Sequence, residues 1–403
     1  MKKRPFLDAH IHLWEFCLFN YFTNLAGVSS KEELIAALKA RPLEGWYVGV
    51  RFNQESLKEK ALPERSFLDR AFGKAPALIF RTCLHLAIAN TAAMEALERP
   101  APEGIFREAD VFAILNELPE RLKLDPELIV KEGVAGLESL GVTRTIDMGM
   151  DLSKRKFFGK IDYYTTDFRL LGEALGFKLF LDGSLGARTA ALSEEYSDDP
   201  GNCGVLNYSD AELLEIVERV HQAGKPVACH AIGDRAVDQF LGVIGKSRHP
   251  QDRLEHAQYL RHDQIDALAE LGVAVCIQPI FSREVPWARK RLGPRRMETA
   301  YAWGLLLKQG VRLLAGSDAP VDAASPLEAA NAVASLKGAQ RLSRAQVLDL
   351  FGRANWEFYG WEPGAPEEKR SEPAGSLKQA CPVEVKPQRP KHDQQEDRRP
   401  GSP

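Results

Sequence analysis

Phe6-Leu7-Asp8-Ala9-His10-Ile11-His12 decides how the rest of the chain is read. As a β-strand its side chains alternate, so Leu7, Ala9 and Ile11 point one way and Asp8, His10 and His12 the other. Two imidazoles then stand side by side at a strand end, a spacing that suits one metal ion taking both nitrogens. His-x-His alone is equally the mark of a strand end with two solvated histidines, so the weight falls on partners later in the chain.

Outward from this strand, seven further apolar runs recur: Thr143–Asp147, Ile161–Tyr164, Phe177–Asp182, Pro226–His230, Arg253–His256, Gly272–Ile277 and Val311–Asp318. Amphipathic stretches such as 127–140, 210–223 and 263–271 separate them, each closed by a glycine that fits a helix C-cap. Eight strands alternating with helices predict an α/β fold, a (β/α)8 TIM barrel. A Rossmann-like open sheet is the weaker reading, because no G-x-G-x-x-G follows the first strand. Residues 1–24 and 124–360 form the predicted barrel. Between them, 25–123 holds helical spacing at 29–38 and 90–97 and strand-like runs at 46–50 and 78–81, too much structure for a loop, and reads as an inserted subdomain. From 361 to 403 the chain is polar and charged with little apolar periodicity, the composition of a disordered tail.

Composition narrows the function classes. The 53 Lys and Arg nearly balance the 56 Asp and Glu in 403 residues, so a net charge of -3 gives no electrostatic case for nucleic acid or an anionic membrane as partner. No apolar run reaches the roughly 18 residues of a membrane span and no signal core follows Met1, which predicts a cytoplasmic protein acting on a small molecule. Six scattered cysteines without a C-x-x-C pair predict reduced thiols. The oligomeric state is not fixed by any of this.

Active groups in such a barrel sit at the C-terminal strand ends. His10 and His12 close strand one, Lys178 lies on strand four, His230 closes strand five, His256 strand six and Asp318 strand eight. Any one of these histidines reads as a satisfied core residue; together with an aspartate at the last strand they predict a divalent metal site. The weaker reading of Asp318 is a helix N-cap ahead of Ala319-Pro320.

These residues lie in FKLFLDGSLGARTAAL (177–192), ACHAIGDRAVD (228–238), RLEHAQ (253–258) and AGSDAP (315–320). In that order the segments resemble the metal-dependent amidohydrolase superfamily, in particular its YtcJ-like branch, which includes N-substituted formamide deformylases. The resemblance runs from about residue 6 to about residue 360. It implies that His10 and His12 hold one divalent ion, His230 and His256 a second, and that Lys178, carboxylated by carbon dioxide, bridges them; with Lys178 unmodified, one ion. Zinc is the implied metal, one or two per chain. The implied chemistry is hydrolysis of a carbon–nitrogen bond in a non-peptide amide or formamide by a metal-activated hydroxide, Asp318 both completing the metal site and acting as general base. The resemblance also places Asp182, Ser184 and Arg188 at the pocket, Asp182 serving equally as a turn residue, and Arg81, His85 and Asn90 in an R-x-x-x-H-x-x-x-x-N pattern on the substrate side, with a purely structural role for these three as the other reading; Gly233-Asp234-Arg235 reads first as a chain turn, with Asp234 as a softer candidate. A phosphotriesterase or lactonase on the same barrel, or an inactive truncated metal-binding barrel, are the alternatives. The family's accessory β-sandwich is expected to be missing: strand one starts five residues from Met1, and although Ala374–Lys378 resembles the start of the returning portion, the alternation is lost from Cys381 onward. Apolar surface on the outside of the barrel would then be exposed.

Overall fold

The computed structural model describes residues 5–82, 86–107 and 109–363. Its strands are β1 (Phe6–Ile11), β2 (Thr23–Asn24), β3 (Tyr47–Phe52), β4 (Ala77–Arg81), β5 (Leu86–Ala89), β6 (Ile105–Arg107), β7 (Val142–Met150), β8 (Asp162–Thr165), β9 (Gly176–Phe180), β10 (Val227–Ala231), β11 (Arg253–His256), β12 (Ala274–Ile277) and β13 (Leu313–Ala315). Eight of them, β1 and β7 to β13, pair in parallel in chain order. This is the TIM-like α/β barrel that the alternation of apolar runs predicts. Each of the eight runs read from the sequence falls on one of these strands.

Local signals set the helices. Asp125 caps the helix Pro126–Ser139 by accepting from Glu127 N and Leu128 N, with Pro126 at its first turn. Ser209 and Glu212 form a capping box at Asp210–Gln222, and left-handed Gly272 (φ 64°) ends His262–Leu271.

The first and last barrel strands do not form a ladder, and the seam between them is closed by side chains and by two backbone hydrogen bonds just beyond the strands. Buried Asn355 donates through Nδ2 to Leu7 O (2.7 Å) and Ala315 O (2.7 Å) and accepts from Ala315 N (3.1 Å). Further along, Asp318 N donates to His10 O (2.7 Å), His12 N to Ala319 O (2.9 Å) and Ser317 N to Asp8 Oδ1 (2.9 Å). Only glycine fits at 316: a Cβ there would lie 2.3 Å from His10 Cβ and 2.6 Å from His10 N. The segment carrying Asn355 continues as the floor of the barrel. Trp356 Nε1 donates to Pro5 O (3.2 Å), and Trp356 and Phe358 pack with Leu7, Met148, Tyr164 and Leu314.

Residues 23–107 build a second sheet, ordered β2-β3-β4-β5-β6, parallel as far as β4 and antiparallel beyond it. One face buries Leu34, Leu38, Leu68 and Phe72 from the helices Lys31–Lys39 and Arg65–Phe72. The other shares a core with the helix Leu13–Tyr21, which leaves the barrel directly after His12. No helix among the described residues is long and apolar enough to cross a membrane. The candidate His85 and the polar segment 364–403 lie outside the described residues.

Candidate metal centre

Four histidine rings line up across the C-terminal end of the barrel. His10 lies 5.7 Å from His12 and 4.9 Å from His256, centroid to centroid, and His256 lies 4.4 Å from His230. Asp318 Oδ1 is 3.2 Å from Nε2 of both His10 and His12, and its Oδ2 is 4.0 Å from His256 Nδ1. Ligand-type atoms of His10, His256 and Asp318, all buried, fall within 4.8 Å of one another.

Backbone conformation makes this possible. Glu255 points into the barrel, so alternation would send its neighbour His256 outward. His256 (φ 74°) and Ala257 (φ 47°) instead take left-handed conformations, and the His256 ring turns back toward His10 and His230. Asp318 (φ 57°) does the same at the end of the last strand. Non-glycine residues are uncommon in this region, and it recurs at functional sites.

Three rings have one nitrogen fixed by an acceptor. His10 Nδ1 faces the Glu255 carboxylate at 2.6 Å, His256 Nδ1 faces Gln278 Oε1 at 2.8 Å, and His230 Nε2 faces Gly183 O at 3.0 Å. With the proton on each of these nitrogens, the ring atoms left to meet an ion are His10 Nε2, His256 Nε2 and His230 Nδ1. Burial, together with the Lys178 cation, pushes His230 down to about 3, and burial and neighbouring His230 hold His256 well below the usual imidazole range. Both rings are neutral donors at physiological pH. For His12 burial opposes the charge, but the facing Asp318 carboxylate outweighs it and raises the ring above its usual value.

Behind His10 stands a buried charge pair. Arg253 donates through Nε to Glu255 Oε1 (2.6 Å) and through Nη2 to Glu255 Oε2 (2.9 Å) and Ala9 O (2.9 Å). Although burial alone would raise Glu255, Arg253 and His10 keep it far below the carboxylate range. Asp318 is likewise held low by the imidazoles around it, against burial, and stays ionised.

Lys178 lies on β9 beside His230's strand, 1% exposed, with Nζ 4.7 Å from the Phe180 ring. Burial lowers its pKa. Its Nζ, His10 Nε2 and Asp318 Oδ1 are buried without a hydrogen-bond partner among the described residues. Orphaned buried polar atoms of this kind are rare. An ion between the rings and Asp318 would satisfy two of them, so the donor set fits a divalent metal. The other grouping of ligand types, His10, Glu255 and Cys276, shares His10, and its carboxylate is committed to Arg253.

Of the remaining predicted residues, Asp182 is buried and accepts from Ala191 N (2.9 Å), Ile232 N (3.0 Å) and Gly233 N (2.8 Å), 3.4 Å from His230 Nε2, and burial raises it to about 7. Arg188 makes two bonds to Asp198 at 3.2 and 3.1 Å. Arg81, at the end of β4, donates to Gln54 Oε1 (2.7 Å). Asn90 caps the helix Thr91–Leu97, Ser184 Oγ accepts from Ala187 N (3.2 Å), and Asp234 accepts from Ser193 N (2.9 Å). Sequence reasoning passed over Arg253, Glu255 and Gln278, although the first two lie inside the quoted RLEHAQ.

The amidohydrolase family profile matches residues 5–365. The chain belongs to the amidohydrolase family. This amidohydrolase is 31% identical over 382 residues to YtcJ of Bacillus subtilis (strain 168), a match covering 80% of this chain and 71% of that protein. It is 22% identical over 403 residues to the N-substituted formamide deformylase of Arthrobacter pascens, covering 80% of this chain and 71% of the relative. Among solved structures, an uncharacterized metal-dependent hydrolase from Pyrococcus furiosus superposes with a TM-score of 0.73 at 29% identity, over 88% of this chain and 82% of that one. The amidohydrolase is thus a metal-dependent hydrolase in kind, and its ligand-type residues converge at the barrel end where such chemistry sits.

Proposed function

We propose that this amidohydrolase is a cytoplasmic enzyme that hydrolyses the carbon–nitrogen bond of a small non-peptide amide or formamide. The observation that carries the reading is the Asp318 carboxylate, 3.2 Å from two imidazole nitrogens and beside a third ring. His10, His12, His230, His256 and Asp318 would hold the divalent metal, zinc being among the ions that imidazole and carboxylate ligands suit, and carboxylated Lys178 would join them. When bound, such an ion lowers the pKa of water to about 7 and polarises a carbonyl.

Asp318, ionised and facing the rings, accepts the proton that the attacking water gives up and returns it to the leaving nitrogen. His230 and His256 remain neutral. Lys178 has the depressed, desolvated amine that reacts with carbon dioxide: once the ammonium has given up one proton, the freed nitrogen lone pair forms the N–C bond as a C=O π bond of carbon dioxide breaks, the nitrogen loses a second proton, and a carbamate anion stands where the cation was.

The test is metal analysis of undialysed protein, paired with a panel of formamides, amides, lactones and phosphotriesters. Bound metal with turnover of formamides or amides supports the reading. Turnover of lactones or phosphotriesters alone reassigns the electrophile, and folded protein that takes up no metal overturns the proposal.

A further inference from the structure

His10 is tied to the opposite end of the barrel through three side chains. Glu255 Oε2 meets His10 Nδ1, Arg253 holds both Glu255 oxygens, and the Tyr359 hydroxyl meets Arg253 Nη1. Arg253 and Glu255 are wholly buried, and Arg253 also grips Ala9 O, the carbonyl next to His10. Tyr359 belongs to the floor segment, its ring stacked on Trp361 at 4.6 Å.

We infer that the floor of the barrel positions the metal ligand: Tyr359 acts through Arg253 and Glu255 to hold His10 as its Nδ1–H tautomer, with Nε2 turned to the ion. Arg253 has several donors and one acceptor-only partner, Glu255, so the guanidinium plane fixes where the carboxylate points. The carboxylate in turn fixes which His10 nitrogen keeps its proton. Without the Tyr359 hydroxyl one guanidinium nitrogen loses its partner, and the plane is free to tilt away from Glu255 and Ala9. Tyr359, Arg253 and Glu255 are positioning residues, since none of them faces the space between the rings and Asp318.

This rests on the metal reading of His10, and two measurements keep the two apart. The first uses metal-free full-length protein with nitrogen-15 histidine and reads the His10 Nδ1–H resonance. The second titrates zinc into wild type, Tyr359→Phe, Glu255→Gln and the double variant. Tyr359→Phe is expected to broaden or shift the Nδ1–H resonance and to weaken zinc binding several-fold. Glu255→Gln is expected to weaken it by roughly 10- to 100-fold, the usual effect of losing a carboxylate behind a ligating histidine. In the Glu255→Gln background the Tyr359→Phe effect should vanish, because both act on one ring. Phe358→Leu removes packing from the same segment without cutting a hydrogen bond and should leave zinc affinity unchanged. An unaltered His10 resonance and affinity in Tyr359→Phe, additive effects in the double variant, or an equal loss in Phe358→Leu would each overturn the inference. Wild type that binds no zinc defeats the metal reading instead, and the ring resonance still decides the relay.

Discussion

Asp318 Oδ1 stands 3.2 Å from His10 Nε2 and 3.2 Å from His12 Nε2, one oxygen shared by two rings from the far end of the chain. Neither approach is a hydrogen bond that satisfies Asp318 Oδ1, which is buried and without a partner among the described residues. Asp318→Asn keeps the size and one oxygen but removes the charge and the base. Metal content should survive, while kcat falls by about 100-fold or more. Parallel metal analysis and kinetics check this, and wild-type rates would remove Asp318 from proton transfer.

Lys178 makes a separable prediction. Lys178→Met fills the same space without an amine, so it should fold, lose one ion of two, and lose the carbamate carbon signal that wild type shows after exposure to carbon-13 bicarbonate. Wild type with no such signal and an unchanged metal count in the variant would leave Lys178 as a buried amine near the site.

The neutral imidazoles predict the acid limit of the metal-free protein. His230 has a folded pKa of about 3 against an ordinary 6.5, so the unfolded chain binds the extra proton between these values. Its contribution is fully present above pH 6.5 and is lost as the pH falls toward 3, at up to about 1.4 kcal/mol per pH unit for one proton. His230→Asn should therefore show a shallower decline of stability across that window, measured by urea unfolding at several pH values. An identical slope would contradict the neutral, buried assignment.

At the seam, Asn355→Ala removes two donated bonds and one accepted bond from buried backbone groups. A loss of roughly 2–5 kcal/mol is expected in urea unfolding, since buried backbone groups would be left unsatisfied. A change below about 0.5 kcal/mol, that of an ordinary surface substitution, would show that the seam does not need its staple.

Gly316→Ala tests the seam from the other side. The added methyl meets His10 backbone and Cβ rather than a movable side-chain end. His10 must shift, so zinc affinity should fall along with stability, whereas a variant that is only destabilised would separate packing from ligand geometry.

The sequence made the barrel legible because each strand is an apolar run between capped helices, and period-2 alternation put His10 and His12 on one face. The same rule hid Glu255. Alternation sends Glu255 and His256 to opposite faces, and only the left-handed backbone at His256 and Ala257 lets neighbours serve one site. Gln278 and Arg253 escaped notice because their roles lie in distances to other side chains, which no spacing along the chain encodes. In the second sheet, β3 and β4 stand out as apolar runs; β2 and β6 are only two and three residues long, and β5 comes too closely after β4 to stand apart.

His10 and His12 stand at the start of the described chain, Asp318 near its end, and Asn355, the staple between their strands, comes later still. The ligand set is therefore complete only where the first and last barrel strands meet. On a nascent chain that has reached only the seventh barrel strand, Asp318 is still missing from the set, and an ion held by Asp318 as well as by His10 and His12 would report completed closure. Uptake kinetics during refolding should then track the docking of the 355–361 segment, because the ends that are hardest to bring together are the ones that carry the chemistry.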